Sequence, residues 1–302
     1  MSTSIVNQYG QRRDFYLHNQ DLLLDIEHEA TSLLASVIKS KIGLISRHID
    51  FGFKELFPFW NRYIPRSRGR APIGDNIPAG DLGEKVVGLS IFGGLIEAVG
   101  ADNIYGVPST PFGGDYRVIL RKYILHIDIK STGPRDDPLE LVVPPNQVTG
   151  DGAVVAADSN SVSNNPIAVG AKRENCGHTN PTLTPLAPAL IDGNIQFLPQ
   201  LTLFAKFVYR QEGVGQPLDK ITLATVPNGI LLFDKDGIRY YLSDKYRVSI
   251  ASSGIRARPC SPFNFGKDDR GRHTAAPNSF RFRIKLPWLK HLDRWRVQDF
   301  YQ

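Results

Sequence analysis

The chain has 302 residues, 41% hydrophobic and 22% charged, an ordinary globular composition with enough apolar material for a sizeable core. Lys and Arg number 36 against 30 Asp and Glu, a formal charge of +6; that excess suits a protein that approaches phosphate but does not by itself establish nucleic-acid binding. The two cysteines, Cys176 and Cys260, are too few for a disulfide framework, residues 1–17 lack the layout of a secretory signal, and no stretch reaches the apolar length of a membrane span. A reducing, cytoplasmic setting without a membrane partner is expected.

Residues 20–39 carry Leu22, Leu23, Ile26, Ala30, Leu33, Leu34, Val37 and Ile38 at helical spacing, which predicts an amphipathic helix capped at Asn19. Residues 57–78, FPFWNRYIPRSRGRAPIGDNIP, hold too many prolines and glycines for long regular structure, and Arg66, Arg68 and Arg70 make this a basic loop. A second helix is expected over residues 81–97 on Leu82, Val86, Leu89 and Leu95, with Gly93 and Gly94 able to end it early. Residues 116–120 and 123–130 are β-rich runs separated only by Arg121 and Lys122, and they predict a hairpin or one bent strand pair. Residues 148–194 turn rich in Asn, Ser, Gly, Pro and Asp, so an irregular excursion is expected, with 151–194 as an insertion. Strand patterns return at 201–209, 221–226, 229–233, 238–242 and 246–250; a last one, FRFRIKL at 280–286, precedes a tail ending near Trp295. No repeat is visible and no linker separates two cores, so residues 1–302 read as a single α/β domain with loop elaborations.

The most informative stretch is GGDYRVILRKYILHIDIKSTGPRDD, residues 113–137. Side chains alternate across a strand, so Tyr123, Leu125, Ile127 and Ile129 form an apolar set while His126, Asp128 and Lys130 share the other face. Asp115 lies just before the preceding run, after a Gly-Gly that lets the backbone turn sharply, and pairing of the two runs would bring it close to Asp128. Two neighbouring carboxylates repel unless a cation sits between them, and hard oxygen ligands select Mg²⁺ or Mn²⁺. Phosphodiester hydrolysis is the chemistry that uses such a set, with Lys130 beside the attacking water, either orienting it or helping to deprotonate it. The alternative at these positions is an ordinary strand-end ion pair, and Asp-x-Lys alone does not decide between them.

Aspartate, a short gap, then Asp-x-Lys on a strand resembles the PD-(D/E)xK nuclease motif, with Gly114–Asp115 standing where that motif has Pro-Asp. Around it, the segments PFWNRYIPRSRGRAPIGDNIP, LGEKVVG, IDIKSTGPRDD, PPNQVTGDG, KITLATVPNGILLF and GKDDR resemble, in this order, a type II restriction endonuclease family of that superfamily. The resemblance implies a restriction-endonuclease-like core, a mixed β-sheet flanked by helices. It implies Asp115, Asp128 and Lys130 as catalytic residues; Asp115, Asp128 and Ile129 as metal-binding positions for Mg²⁺ or Mn²⁺; and Glu84 as a supporting acid, for which a helix-surface glutamate is the alternative. It implies a prokaryotic homodimer acting on double-stranded DNA without a nucleotide cofactor, at an interrupted palindrome with one half-site per subunit.

Specificity requires side chains that read base edges: Lys and Arg pair with guanine, and Asp accepts from cytosine. Asp136 follows the Asp-x-Lys within reach of nearby bases. Lys267, Asp268, Asp269 and Arg270 form a mixed-charge cluster between Gly266 and Gly271, and Arg281 and Arg283 lie on the basic face of FRFRIKL. The order of these segments resembles that of the restriction endonuclease family, in which such parts of the chain read bases; the resemblance implies Asp136, Lys267, Asp269, Arg281 and Arg283 as base readers and hence G·C-rich half-sites, and Arg66, Arg68 and Arg70 are expected phosphate contacts. A solvated strand face is the alternative for the arginines of FRFRIKL. Cys176-Gly-His178 has no second pair at zinc spacing, Gly237-Ile238-Arg239-Tyr240-Tyr241 only faintly resembles GIY-YIG nucleases, and Gly213-x-Gly215 lacks a third glycine. His273 and His291 read as surface residues. Two rival readings stand beside the restriction enzyme: a nuclease fold that binds a DNA sequence without cutting it, and a repair or recombination nuclease of the same fold.

Overall fold

The computed structural model describes residues 2–63, 79–107, 115–132, 137–143, 147, 149, 185–210, 217–232, 255–257 and 282–301. Three helices open the chain: α1 (Ser2–His18), α2 (Gln20–Tyr63) and α3 (Ala79–Val99). The helix expected over 20–39 is far longer, because its apolar stripe continues past Gly43 through the buried Ile45 and Ile49. Asn19 does mark the break between α1 and α2, and its carbonyl accepts the Leu23 N–H. Its side chain, however, donates to the Phe15 carbonyl at 2.7 Å, so it serves the end of α1 instead of capping α2. Gly93 and Gly94 do not end α3. Gly94 lies where a Cβ would crowd Val37 and Lys41 of α2, so the glycine permits a close helix crossing.

Strands β1 (Tyr116–Ile119) and β2 (Ile124–Thr132) form the expected antiparallel hairpin, followed by β3 (Glu140–Val143), β4 (Leu186–Ile191), β5 (Asn194–Tyr209) and β6 (Leu218–Val226). The expected irregular region is therefore corrected at its end: β4 and β5 make a hairpin through Asp192 and Gly193, both at positive φ. The described part of the strand expected at 229–233, residues 229–232, is not a strand. Gly229–Leu232 form a single helical turn, α4, because the Asn228 side chain accepts the Ile230 N–H and starts a local turn. Then come β7 (Ile255–Ala257), β8 (Phe282–Lys285), α5 (Leu286–Leu292) and β9 (Val297–Tyr301). The basic strand thus stops before Leu286, where Pro287 starts a helix, and the tail expected to end near Trp295 continues into β9. The strands expected at 238–242 and 246–250 lie outside the described residues.

The main sheet has the order β1–β2–β5–β6–β9, with β4 paired to the first half of β5. Only β2 and β5 run parallel, which makes the sheet mixed. Helices α2 and α3 cover the face that carries Leu125, Ile127 and Ile129: Thr31 of α2 bonds Thr225 of β6 at 2.8 Å, and Gly83 and Gly88 of α3 meet Phe207 and Tyr116 so closely that a Cβ would collide with either ring. Those two glycines draw α3 down onto the sheet beside β2. The opposite face meets the small sheet β3–β8–β7, tied down by Lys206, whose buried ammonium donates to the carbonyls of Asp137 and Glu140.

The two ends of the chain are joined by a buried ion pair. Arg296 donates to Glu27 of α2 at 2.7 Å with both side chains fully buried, and it also bonds Asp293 and lies over the Trp295 ring. The other Glu27 oxygen accepts the backbone N–H of Asn228, whose amide in turn donates to the carbonyls of Pro185 and Gln200. Removing one partner of such a pair strands the other charge, and arginine cannot shed its proton. Glu27→Gln should therefore cost about 3–5 kcal/mol, read as a lowered urea midpoint with unchanged slope. A loss below about 1 kcal/mol, the range of exposed pairs, would contradict this role.

Candidate active site

Strand β2 is covered on both sides, so the residues of its second face are buried as well as those of the first. His126 and Asp128 have almost no exposure, and Lys130 is partly buried at the end of the covered region. Register sets their neighbours: Arg117 of β1 and Thr202 of β5 flank His126, and Phe204 of β5 flanks Asp128. The Lys130 ammonium lies 2.5 Å from Asp128 Oδ2 as an ion-pair contact, donates to Gln147 Oε1 at 2.8 Å, and stands 6.0 Å from the Phe204 ring centre. Gln147 Nε2 donates to Asp128 Oδ1 at 2.6 Å. Asp115, at the entry to β1 and exposed, accepts the backbone N–H of Ile129 at 2.6 Å. The hairpin thus does bring Asp115 beside the Asp-x-Lys, as the spacing predicted.

Burial dominates the charge state of Asp128. It pushes the carboxyl up from the usual 3.8 to about 7, opposed by the Lys130 ammonium and reinforced by the negative charges of Asp115 and Glu84. Glu84, partly buried on α3, is therefore close enough to act on Asp128 electrostatically. His126 is driven the other way, to about 3, by burial and then by the cations Arg117 and Lys130. Its ring is neutral at ordinary pH, and neither ring nitrogen has a hydrogen-bond partner among the described residues.

The donor set fits a hard divalent cation. Asp128 Oδ2 is buried against the Lys130 ammonium, and Asp115 and Glu84 add negative charge within electrostatic reach of it, so the carboxylates here offer oxygen donors of the kind a hard cation takes. Among the described residues no three His, Cys, Asp or Glu side chains form a complete metal cage.

Asp136, Lys267, Asp269, Arg281, Arg66, Arg68 and Arg70 lie outside the described residues. The Arg283 backbone is in β8, opposite Val142 and Arg256. Its basic neighbour Lys285 pairs with Asp137 and Glu140 at 3.1 and 3.3 Å, a structural use of one charge on that face. His291 is exposed, as expected. Gln147 is the site residue that sequence reasoning missed: it sits in PPNQVTGDG, a segment noted for resemblance, but a lone amide in a loop carries no periodic or charge signal.

Fold and site together define a type II restriction endonuclease, a site-specific deoxyribonuclease. The chain belongs to the BglI restriction endonuclease family, whose model, described as restriction endonuclease BglI, matches residues 4–300. It is 32% identical over 287 residues to the type II restriction enzyme BglI of Bacillus subtilis, covering 88% of this chain and 87% of that one. The crystal structure of BglI bound to its DNA recognition sequence matches with a TM-score of 0.68 and 28% identity, over 99% of this chain and 97% of the other. Tetrameric SfiI bound to cognate DNA shares the fold, with a TM-score of 0.54 and 13% identity over 93% and 85% of the two chains. The expected restriction-endonuclease-like mixed α/β core is the one found.

The raised carboxyl yields a pH prediction. A group whose folded pKa lies above its unfolded value adds stability below the unfolded pKa and loses it as pH rises through the folded one. Without divalent cation, wild type should therefore lose stability relative to Asp128→Asn as pH rises from about 4 to about 7, the window set by the carboxyl's usual and shifted values. The difference between the two urea unfolding curves across that range measures it, and a flat difference would mean that Asp128 is solvated.

Proposed function

We propose that this enzyme cleaves DNA with Asp115, Asp128 and Lys130, using Mg²⁺ or Mn²⁺ at Asp115, Asp128 and the Ile129 carbonyl. The observation that carries this reading is the buried Asp128 carboxylate in contact with the Lys130 ammonium, beside an Asp115 tethered to the Ile129 N–H. Burial of an ionisable pair is costly in an ordinary strand and is justified by a task that needs a cation and a phosphate there. When bound, the metal would neutralise a phosphate oxygen and lower the pKa of a water. Asp128 and Asp115 would hold it, with Glu84 adding negative charge nearby. Lys130, on its flexible stem, would orient the attacking water towards phosphorus. The P–O bond to the leaving sugar oxygen then breaks as the bond to water oxygen forms.

Asp136, Lys267, Asp269, Arg281 and Arg283 are proposed to read G·C pairs in the major groove, and Arg66, Arg68 and Arg70 to hold phosphates. The BglI structure, solved on its DNA recognition sequence, supports duplex DNA as the partner. A homodimer on an interrupted palindrome would present one active site to each strand. The bacterial origin of the relative supports a prokaryotic host. No helix among the described residues is long and apolar enough to cross a membrane.

The test is digestion of unmethylated phage DNA with Mg²⁺ or with EDTA, beside Asp128→Ala. Discrete bands that need Mg²⁺ and vanish in the variant, while DNA retention persists, are expected. Substantial cutting by Asp128→Ala would overturn the catalytic assignment. A smear would favour an end- or structure-directed nuclease, and retention without cutting would favour a binding protein. At the mapped site, Arg281→Ala should cost about 1–3 kcal/mol in binding and relax specificity, whereas an equal loss on random DNA would mark a phosphate contact.

A further inference from the structure

We propose that Gln147 is a positioning residue: one buried side-chain amide sets the Asp128 carboxylate and the Lys130 ammonium in their working orientation. The inference rests on the assignment of those two residues to the cleavage step. Gln147 donates from Nε2 to Asp128 Oδ1 at 2.6 Å and accepts at Oε1 from Lys130 Nζ at 2.8 Å, while Nζ and Oδ2 close the triangle at 2.5 Å. Asp128 and Gln147 are 1% and 6% exposed, so water does not compete well for these bonds.

The amide can be read in one orientation only. Turned over, its oxygen would face a carboxylate and its NH₂ an ammonium, and both contacts would repel. No other side chain of this length does the same work without adding charge: Glu would oppose Asp128, and Lys would oppose Lys130 and any cation at the carboxylates. The three-way arrangement also directs the lysine. One ammonium hydrogen goes to Gln147 and another towards Asp128, and the third has no partner among the described residues. That is the donor available to a water. Without Gln147, a four-carbon stem and a carboxylate free to rotate would have only each other to fix them.

A second described residue of this segment is itself anchored, through its side chain. Thr149, fully buried, accepts the Gly229 N–H at 3.0 Å. Gly229 adjoins Asn228, which is tied to Glu27 and to the carbonyls of Pro185 and Gln200. The amide is therefore held from the folded core, as outer-shell groups that orient metal ligands are.

The experiment measures single-turnover cleavage of phage DNA at saturating Mg²⁺, retention of the same DNA in Ca²⁺, and thermal unfolding. The variants are Gln147→Met, Gln147→Glu and Asp128→Ala. Gln147→Met keeps the length and loses both hydrogen bonds, and it should slow cleavage about 10–100-fold with DNA retention unchanged. Gln147→Glu keeps the acceptor for Lys130 but puts an oxygen against Asp128. It should also cleave at least 10-fold more slowly, and it decides the matter if the Met variant does not fold. Wild-type cleavage by a folded Gln147 variant, with Asp128→Ala inactive, would overturn the inference. So would a loss that merely follows weakened DNA retention or a lowered unfolding temperature. Cutting by Asp128→Ala would instead remove the active-site reading on which the inference stands.

Discussion

Strand β2 is covered on both faces, and this constraint governs the site. On one side the helix layer of α2 and α3 covers the face of Leu125, Ile127 and Ile129; on the other, β2 carries His126 and Asp128 into a second buried layer, with Lys130 at its edge. A carboxylate placed there loses most of its hydration. Its proton affinity rises, and the fold must supply what water would have supplied. Lys130 and Gln147 answer that need together.

Precision at the site comes from elements that never touch it. Gly83 and Gly88 let α3 lie close enough to the sheet for Glu84 to act on Asp128. The buried pair Glu27–Arg296 fixes α2 against the C-terminal strand and, through Asn228, the turn that anchors Thr149 near Gln147. Lys206 pins the chain that leaves β2 by holding the carbonyls of Asp137 and Glu140. A buried polar network of this sort is stable only while every member is satisfied, so its stability and the geometry of the site are linked. The neutral His126 ring beside that network has no hydrogen-bond partner among the described residues.

Much of this was legible in the residues. Alternation along YILHIDIK gave both the strand and the sharing of one face by Asp128 and Lys130, and the two-residue break at Arg121 and Lys122 gave the hairpin that returns Asp115 to them. These are local consequences of a period of two and a tight turn. Helix α2 was legible only in its first half, where the apolar stripe is dense. The strand expected at 229–233 failed because Asn228 can bond its own following backbone, a local competitor that hydrophobicity does not reveal. Strand β9 was hidden because it is an edge strand with no fully buried residue, so its sequence shows little apolar alternation.

By itself, then, the sequence determined that Asp115 returns beside Asp128 and Lys130 and which hairpin joins them, because both depend on spacing within one short stretch. Tertiary structure alone decided that the polar face of β2 is buried, since burial depends on what packs above a strand and not on the strand. It alone brought in Gln147 from a later loop, set Glu84 within electrostatic reach, and paired Glu27 with Arg296 across almost the whole chain. Contacts between residues distant in sequence leave no periodic mark, because their geometry is fixed only when the layers meet.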